Sequence, residues 1–344
     1  MTQQIFPDHM KSWIAENLAQ GCSTQQIKTY LLNTAYPEDL VDQEILAAST
    51  SPYLPAVRAY SRLLKRRDSL LKTLDFYWNL NSDHKELIRK PLPFYADFIK
   101  DYLSQNRPGL FSGAFEHWPA RGWTPKLLEE KIGPDTQVPV QSGRNSDPNY
   151  DENNPQHGAM MACRDFISLV ENSVGNDVYL TAVNFALDKP EFGFVREDIG
   201  SIGDGYITPT PVPKSIFLWM GPAGVVTSMH QDLNHILFCQ IYGRKTFRLY
   251  PAIQVPYMYN HRVVYSPVNP VQPDLERHPL FENANGIEIT VEAGDMLYIP
   301  IGWWHHVVGE TASISVSLTD LVDMPNHFVD YPYNVFSGVE PVES

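Results

Sequence analysis

The sequence predicts a mainly β fold with flanking α-helices: a double-stranded β-helix (jelly roll) preceded by a helical N-terminal region. Between Ser215 and Asp320 nearly every segment is a short run of apolar and β-branched residues. Glycine and proline separate these runs, as at 242–244, 294–295 and 300–302. Upstream, between residues 8 and 88, apolar residues recur at helical spacing instead. Many short strands with closely spaced turns are typical of closed or sandwiched antiparallel sheets.

The composition is that of a folded protein, with 344 residues of which 43% are hydrophobic. Its 26 basic and 40 acidic residues give a formal charge of -14, so we expect no nucleic-acid partner and no anionic membrane surface. The basic run Lys65-Arg66-Arg67 is interpreted as a solvated helix face. Three dispersed cysteines form no C-x-x-C pair, which suits a reducing compartment. No signal peptide or membrane-spanning run is recognised, and we expect a cytoplasmic protein.

The N-terminal third is predicted to be helical. Residues 8–48 form three short helices, the first ending at Gly21, the second opening with a Ser23–Gln26 capping box. A longer helix follows over 55–88, with Tyr77 and Trp78 expected in the core. The predicted domains are a small bundle (1–50), a linking helix (51–89) and a catalytic domain (90–344) with its barrel core at 177–320. The bundle is interpreted either as a partner-binding module or as a packing or dimer element.

The middle of the chain alternates between helices and strands. We predict helices at 94–103, 126–131 and through 166–170, and strands at 107–113 and 138–141. The polar stretch 147–157 is a loop that could cover a site. Residues 177–185, which contain Tyr179, are predicted to be a strand.

Eight strands are predicted in the β region, with a hairpin turn at Tyr242-Gly-Arg244 and an irregular proline-rich insertion at 251–286. They cover 215–220, 225–229, 236–241, 245–250, 287–291, 296–299, 303–308 and 312–318.

A metal site is predicted where a strand runs into a turn, at Gly224-Val-Val-Thr-Ser-Met-His230-Gln-Asp232. Residues i and i+2 of an extended chain point to the same side, so His230 and Asp232 can bind one ion. A second histidine would complete the 2-His-1-carboxylate triad of non-haem Fe(II) oxygenases. The motif Gly294-Asp-Met-Leu-Tyr-Ile-Pro-Ile-Gly-Trp-Trp-His305-His306 offers two candidates. Because neighbours in a strand alternate, only one of them can point into the barrel.

Together these two segments resemble the JmjC and cupin-8 group of Fe(II)- and 2-oxoglutarate-dependent oxygenases, and within it the asparaginyl hydroxylase that acts on hypoxia-inducible factor. That group has H-x-D, then a glycine and a lysine on the next hairpin, then G-D-x-L-x-I-P-x-x-W-W-H. The likeness extends over roughly residues 90–320 and leaves out the N-terminal helices.

The resemblance implies a set of site residues. His230, Asp232 and His305 would bind Fe(II), with His306 as a packing residue and His235 facing solvent or a hydrogen-bond partner. Lys245, Thr227, Tyr179 and Ser317 would contact 2-oxoglutarate. Two positions depart from the pattern: Ile236, with Asn234 nearby, and Ser317 each replace an asparagine. Ser313, Ser315 and Ser317 share one face of their strand, interpreted either as a polar outer face or as part of the cosubstrate pocket.

The function implied is an Fe(II)- and 2-oxoglutarate-dependent dioxygenase that uses O2 to hydroxylate an amino-acid side chain in a protein or peptide. Two alternatives stay open: a small-molecule hydroxylase with the same metal centre, and a non-catalytic interaction module. The segment after Asp320 is short and contains prolines, so the C-terminal helical dimer element of the resembled hydroxylase is not expected. The oligomeric state, including a homodimer, stays open.

Overall fold

The computed structural model describes residues 6–34, 36–203, 205–207, 215–261 and 264–322. The prediction about the segment after Asp320 therefore lies almost entirely outside the described residues. The chain divides into two compact units, residues 1–76 and 77–344. The domain boundaries predicted from the sequence stay predictions. No helix in the described ranges combines the length and apolarity needed to cross a membrane.

The N-terminal unit contains a three-helix bundle, as predicted: α1 (Asp8–Gln20), α2 (Thr24–Leu32) and α3 (Glu38–Ser49). The predicted capping box is present, because Ser23 and Gln26 satisfy each other's backbone amides at the start of α2. Gly21 ends α1 with φ of 103°, a conformation that suits glycine. The bundle buries one apolar side from each helix: Ile14, Leu18, Ile27, Leu31, Val41 and Ile45.

The long helix α4 (Leu54–Leu80) ends eight residues earlier than predicted. Its covered side carries Leu64, Leu71 and Trp78, which recur at intervals of seven residues. Tyr77 was predicted to be in the core, and that prediction is wrong, since its side chain is 65% exposed. Neighbouring residues in a helix point about 100° apart, so Tyr77 and Trp78 cannot both face the same core.

Twelve strands lie in the described part of the C-terminal unit. They are β1 (Lys90–Pro91), β2 (Gly109–Ser112), β3 (Gln137–Gln141), β4 (Gly158–Ala162), β5 (Ile216–Gly221), β6 (Val226–Gln231), β7 (Ile236–Tyr242), β8 (Lys245–Tyr250), β9 (Ile287–Val291), β10 (Asp295–Ile299), β11 (Trp304–Gly309) and β12 (Ser313–Leu318). A six-stranded sheet has the order β1-β2-β10-β7-β12-β5, and a four-stranded sheet has the order β6-β11-β8-β9. β3 and β4 form a separate hairpin, of which β4 was not predicted.

Five shorter helices accompany these strands in the described part of the unit: α5 (Tyr95–Phe98), α6 (Pro125–Ile132), α7 (Asn154–His157), α8 (Cys163–Asn172) and α9 (Gly193–Asp198). Leu128 of α6, Phe166 of α8 and Val195 of α9 belong to one buried cluster with Met296 and Tyr298 of β10. The helices therefore cover the outer face of the six-stranded sheet.

Alternation along each strand builds the core between the two sheets. In β10, Met296 and Tyr298 belong to the helix-covered cluster, whereas Leu297 and Ile299 pack with Phe247 and Val307 of the four-stranded sheet. The insertion after β8 covers the outer face of that second sheet, with Tyr257, Met258 and Phe281 packing against Trp304 and Met229. Two facing sheets, antiparallel apart from the short β1–β2 pair and each covered on its outside, confirm the predicted jelly roll with its helical N-terminal region.

One local prediction is wrong, and one of two open interpretations is excluded. Residues 177–185 do not form a strand: Tyr179 and Leu180 make isolated bridges, to Gln141 and Met220, and Ala182–Asn184 is a 3-10 turn. A Thr181–Asn184 capping box satisfies the backbone of that turn and so ends the extended segment. The serines of β12 do not form a polar outer face: Ser313, Ser315 and Ser317 are all buried. β12 lies between β7 and β5, in the middle of a sheet that is covered on both faces.

The hairpin turn before β8 generates the first testable prediction. Gly243 has φ of 69°, and a Cβ there would collide with Ala312 O and Thr311 Oγ1. We expect Gly243→Ala to lower the free energy of unfolding by about 2 kcal/mol or more, because backbone strain and steric overlap add. Urea denaturation followed by circular dichroism measures this.

Gly122→Ala is the matched control, because Gly122 has ordinary φ and no atom lies within 4 Å of the place that its new methyl group would take. It should change stability by less than about 0.5 kcal/mol. Equal effects of the two substitutions would contradict the steric argument.

Candidate metal centre

Three side chains with metal-binding atoms converge from two neighbouring strands. β6 and β11 pair antiparallel, and His230 lies directly opposite His305 in their register. Asp232 follows one residue after β6, where its carbonyl accepts a hydrogen bond of 3.2 Å from Gly302 N. One ligand atom from each of His230, Asp232 and His305 lies within 4.8 Å of the others. Within the described ranges these three residues are the one such group of histidine, cysteine and carboxylate side chains.

Hydrogen bonds to the backbone orient both imidazoles. His230 Nδ1 lies 2.8 Å from Ser228 O, and His305 Nδ1 lies 3.0 Å from Trp303 O. A carbonyl oxygen only accepts, so in each ring Nδ1 carries the hydrogen and Nε2 keeps a lone pair. The Nε2 atoms of His230 and His305 lie 3.7 and 3.3 Å from Asp232 Oδ2. Both lone pairs are therefore directed to the same small region as the carboxylate.

This donor set fits a divalent transition metal. Nitrogen and oxygen ligands bind such an ion at about 2.1 Å, which places neighbouring donors about 3 Å apart, close to the separations found here. Burial lowers the pKa of His230, and the neighbouring His305 lowers it further. Burial alone would raise the pKa of Asp232, but the two imidazoles more than offset this and hold it below its ordinary value. The pair therefore tends toward neutral imidazole and charged carboxylate, the forms that bind metals.

His306 lies on the opposite face of β11 and does not reach the cluster. It is buried, its Nδ1 has no hydrogen-bond partner among the described residues, and burial lowers its pKa to about 4. The two tryptophans that precede these histidines explain why His305, and not His306, faces the cluster. Trp303 packs between the sheets, and Trp304 packs under the insertion. His235, for which two environments were predicted, is hydrogen-bonded: its Nδ1 lies 3.0 Å from Tyr298 Oη.

A cavity of about 260 Å³ opens between the two sheets beside this cluster. The structure brings all the residues singled out in the sequence to its walls: His230, Asp232, His305, Lys245, Thr227, Tyr179 and Ser317. Aromatic side chains, among them Phe217, Trp219 and Phe238, supply much of the remaining wall.

Lys245 is a buried amine in the wall of this cavity. Its residue is 1% exposed, and its Nζ donates to Tyr179 Oη at 2.9 Å. The Thr227 side chain hydrogen-bonds Tyr179 in turn. Among the described residues no carboxylate forms an ion pair with Lys245, and burial lowers its pKa to about 7. A desolvated ammonium with hydroxyl neighbours and no anion of its own is a site for a carboxylate ligand.

The departures from the family pattern have visible consequences. Ser317 Oγ accepts a hydrogen bond of 2.9 Å from Trp219 Nε1, so the serine supports an aromatic wall of the cavity. Ile236 contributes apolar wall, while Asn234 lies at the cavity beside Asp232.

Sequence reasoning missed Arg144, which is 1% exposed and lines the same cavity. Its Nη2 donates to Val226 O of β6 at 2.6 Å, and its Nη1 pairs with Asp151 Oδ1 at 3.2 Å. Asp151 Oδ2 accepts from Ser228 N at 2.7 Å. β6 is an edge strand, so the backbone groups along its outer edge have no neighbouring strand to pair with. The side chains of Arg144 and Asp151 bind these groups. No motif identifies Arg144; the polar loop after it was the available signal.

The insertion continues the same support along β6. Tyr265 forms an isolated bridge with His230, and Gln231 N donates to Val264 O at 3.0 Å. Tyr265 Oη also donates to Asp151 O at 3.0 Å. The segment 147–157, which was predicted to be a loop throughout and ends in the short helix α7, therefore meets the insertion beside the metal cluster.

Comparison with known proteins gives a family match over most of this unit. Residues 95–321 match the family model described as "Cupin-like domain". The relatives include a Drosophila melanogaster protein named "Jumonji C domain-containing protein 5", 30% identical over 65% of this chain and 57% of its own length. A Xenopus tropicalis protein named "Lysine-specific demethylase 8" is 29% identical over 65% of this chain and 50% of its own length.

A third relative, the human "Bifunctional peptidase and (3S)-lysyl hydroxylase JMJD7", is 25% identical over 67% of this chain and 82% of its own length. Against the first relatives, by contrast, the chain spans only about half of the longer protein.

The contacts of Arg144 generate a prediction. Arg144→Gln should lower the free energy of unfolding by about 3 kcal/mol, because it leaves Asp151, whose side chain is only 14% exposed, without its cation and frees the edge of β6. Arg121→Gln is the control, since Arg121 pairs with an exposed glutamate at 3.3 Å. It should cost less than about 1 kcal/mol. Urea denaturation measures both, and a loss for Arg144→Gln no larger than the control would refute its structural role.

Proposed function

Because this chain belongs to the family of cupin-like domains shared by JmjC proteins, we propose that it is an Fe(II)- and 2-oxoglutarate-dependent dioxygenase that hydroxylates an amino-acid side chain of a protein or peptide. One observation carries the proposal: two histidines and one aspartate with convergent donor atoms share a cavity with a buried, unneutralised lysine. The two histidines and the aspartate suit a metal ion, and the lysine suits a carboxylate. The proposed reaction needs these two binding sites next to each other.

The metal would be bound by His230 Nε2, His305 Nε2 and the Asp232 carboxylate. When bound, Fe(II) and O2 couple the decarboxylation of 2-oxoglutarate to succinate with the hydroxylation of one substrate C–H bond. The chain itself contributes the orientation of both imidazoles through their Nδ1 hydrogen bonds. Apolar walls exclude water from the same space.

The distal carboxylate of 2-oxoglutarate would pair with Lys245 Nζ. Tyr179 and Thr227 supply hydroxyl groups at the same place, and together with the ammonium they offset the cost of burying the anion. Ser317 acts through Trp219, which it holds against the cavity.

The size of the cavity favours a side chain as substrate. Its volume of about 260 Å³ lies below the roughly 300–1,000 Å³ typical of sites that enclose a whole small molecule. Once 2-oxoglutarate occupies the Lys245 end, the space beside the metal holds a single side chain reaching in past Asp151, Asn154 and Tyr265. A free metabolite of larger size, the alternative substrate, has less room there.

The relatives guide the choice of substrates. One is named a lysine-specific demethylase and another a lysyl hydroxylase, so lysine-containing peptides are the first class to assay. The charge of -14 argues against nucleic acid as the substrate. We place the protein in the cytoplasm on the basis of its sequence.

The adjacent histidines of β11 give a matched test of activity. With Fe(II) and 2-oxoglutarate, the protein should form succinate, and His305→Gln should lower the rate at least 100-fold because one metal ligand is lost. His306→Gln should stay within about threefold, since His306 faces away from the metal. Mass spectrometry of succinate measures the rate. If neither variant affects a measurable rate, the metal assignment fails; if wild type forms no succinate, the non-catalytic module is supported instead.

The buried lysine predicts a pH dependence of 2-oxoglutarate binding. Burial lowers the pKa of Lys245 to about 7, so the ligand-free protein loses this proton as pH rises above 7. The dicarboxylate binds the ammonium form, and binding must therefore take up a proton at higher pH. The dissociation constant should rise by up to about tenfold per pH unit above pH 7 and stay flat below it.

Anaerobic calorimetric titration between pH 6 and 9 measures this dependence. Lys245→Arg is the control, because a guanidinium keeps its proton over this pH range. If the variant still binds 2-oxoglutarate, titration at position 245 should no longer make its affinity depend on pH. A wild-type affinity that improves from pH 7 to 9 would contradict the role of Lys245.

A further inference from the structure

The long helix α4 has an exposed apolar stripe that the oxygenase site does not use. We call this stripe the seam. Its residues recur alternately three and four positions apart: Tyr53 just before the helix, then Ala56, Tyr60, Leu63, Arg67, Leu70, Leu74 and Tyr77. An alternation of three and four repeats every 3.5 residues on average, the period of helices that pack side by side in coiled coils.

Among the described residues, most members of the seam are exposed in the single chain. Tyr60, Leu63 and Leu70 are 60–64% exposed, and Tyr53 is 77% exposed. It is also distinct from the side of α4 that the chain itself covers, which carries Leu54, Leu64 and Leu71. Large apolar side chains exposed in a continuous row mark an interaction surface.

The charges of α4 lie mostly off the seam. Arg58 and Lys65 donate to carbonyls at the end of α1, Leu18 O at 3.3 Å and Gln20 O at 3.0 Å. Arg67 is the charged residue on the seam, and Asp68 Oδ1 accepts from its Nε at 2.9 Å and from its Nη2 at 2.8 Å.

We propose that the seam binds the seam of a second copy of this chain, in an antiparallel helix pair. In one antiparallel register every seam residue faces a seam residue of the other copy. Tyr53 meets Tyr77, Ala56 meets Leu74, Tyr60 meets Leu70 and Leu63 meets Arg67 of the second copy. This register has two-fold symmetry, as an isologous dimer requires.

The same register separates the two arginines. In a parallel pair with both helices aligned, Arg67 would lie against Arg67 of the second copy, at a cost in charge repulsion. In the antiparallel pair each Arg67 packs its alkyl chain on Leu63 of the other copy. The sequence of α4 therefore favours antiparallel self-association.

The contact is long enough for a stable dimer. A helix of 27 residues extends about 40 Å, and a pair packed along that length buries on the order of 1,200 Å², the lower range for specific complexes. The seam residues available for burial are mostly tyrosine and leucine.

Sedimentation equilibrium of the full chain at micromolar concentration tests the proposal. We expect a dimer of twice the 39.1 kDa chain. The double variant Leu63→Glu, Leu70→Glu should be monomeric, with at least a 100-fold loss of dimer affinity. Its circular dichroism should be unchanged, because both leucines are exposed in the single chain. Phe76→Glu is the matched control: this residue is 61% exposed on the same helix but lies off the seam, and it should leave the dimer intact.

Disulfide trapping tests the orientation. A mixture of Leu63→Cys and Arg67→Cys chains should form a mixed disulfide under mild oxidation, whereas Leu63→Cys alone should link far less. A wild-type monomer, or a dimer that survives the double substitution, would overturn the seam as the interface. Efficient linkage of Leu63→Cys chains with themselves would overturn the antiparallel register.

Discussion

The placement of one residue pair, His230 opposite His305 across β6 and β11, determines the rest of the site. Side chains alternate along a strand, so a slip of one residue would turn His305 outward and bring His306 in. The two tryptophans before it prevent this slip. Trp303 donates from Nε1 to Asn106 O at 2.8 Å and packs between the sheets, while Trp304 fits the apolar cluster under the insertion. Two large side chains directed to opposite layers thus set the register before any metal is involved.

Because the site depends on the pairing of β6 with β11, β6 must be held firmly in place. It pairs with β11 on one side and, among the described residues, has no strand along its other edge, yet it carries both Thr227 and His230. Arg144, Asp151 and the backbone of the insertion satisfy that edge. Arg144, Asp151 and Tyr265, which hold this edge, also line the cavity. An edge strand whose backbone is satisfied in this way can present side chains to a cavity without leaving its edge open to another chain.

Much of the C-terminal unit was predictable because its signals are local. Period-two alternation and glycine turns place the strands from β5 to β12 within one or two residues, and the H-x-D spacing places two donors on one side of a strand. The segment around Tyr179 failed because its backbone is fixed by a Thr181–Asn184 side-chain box and by partners distant in sequence. Arg144 was missed because no motif contains it, and its contacts are carbonyl and carboxylate groups of Asn176, Val226 and Asp151. The metal ligands, the 2-oxoglutarate contacts and the domain boundaries predicted from sequence stay predictions.

The long helix α4 also shows what a local sequence pattern leaves undetermined. Tyr77 and Trp78 were both expected in a core, because helical spacing predicts a buried face without saying how many faces are buried or by which partner. In α4 two apolar rows lie side by side: Leu64, Leu71 and Trp78 are partly covered by the chain, whereas Leu63, Leu70 and Tyr77 are exposed. Adjacent residues at positions 63–64, 70–71 and 77–78 supply one member to each row. Pairs of adjacent apolar residues that repeat every seven positions therefore give a helix two apolar rows. One row can pack on the helix's own chain while the other packs on a second helix.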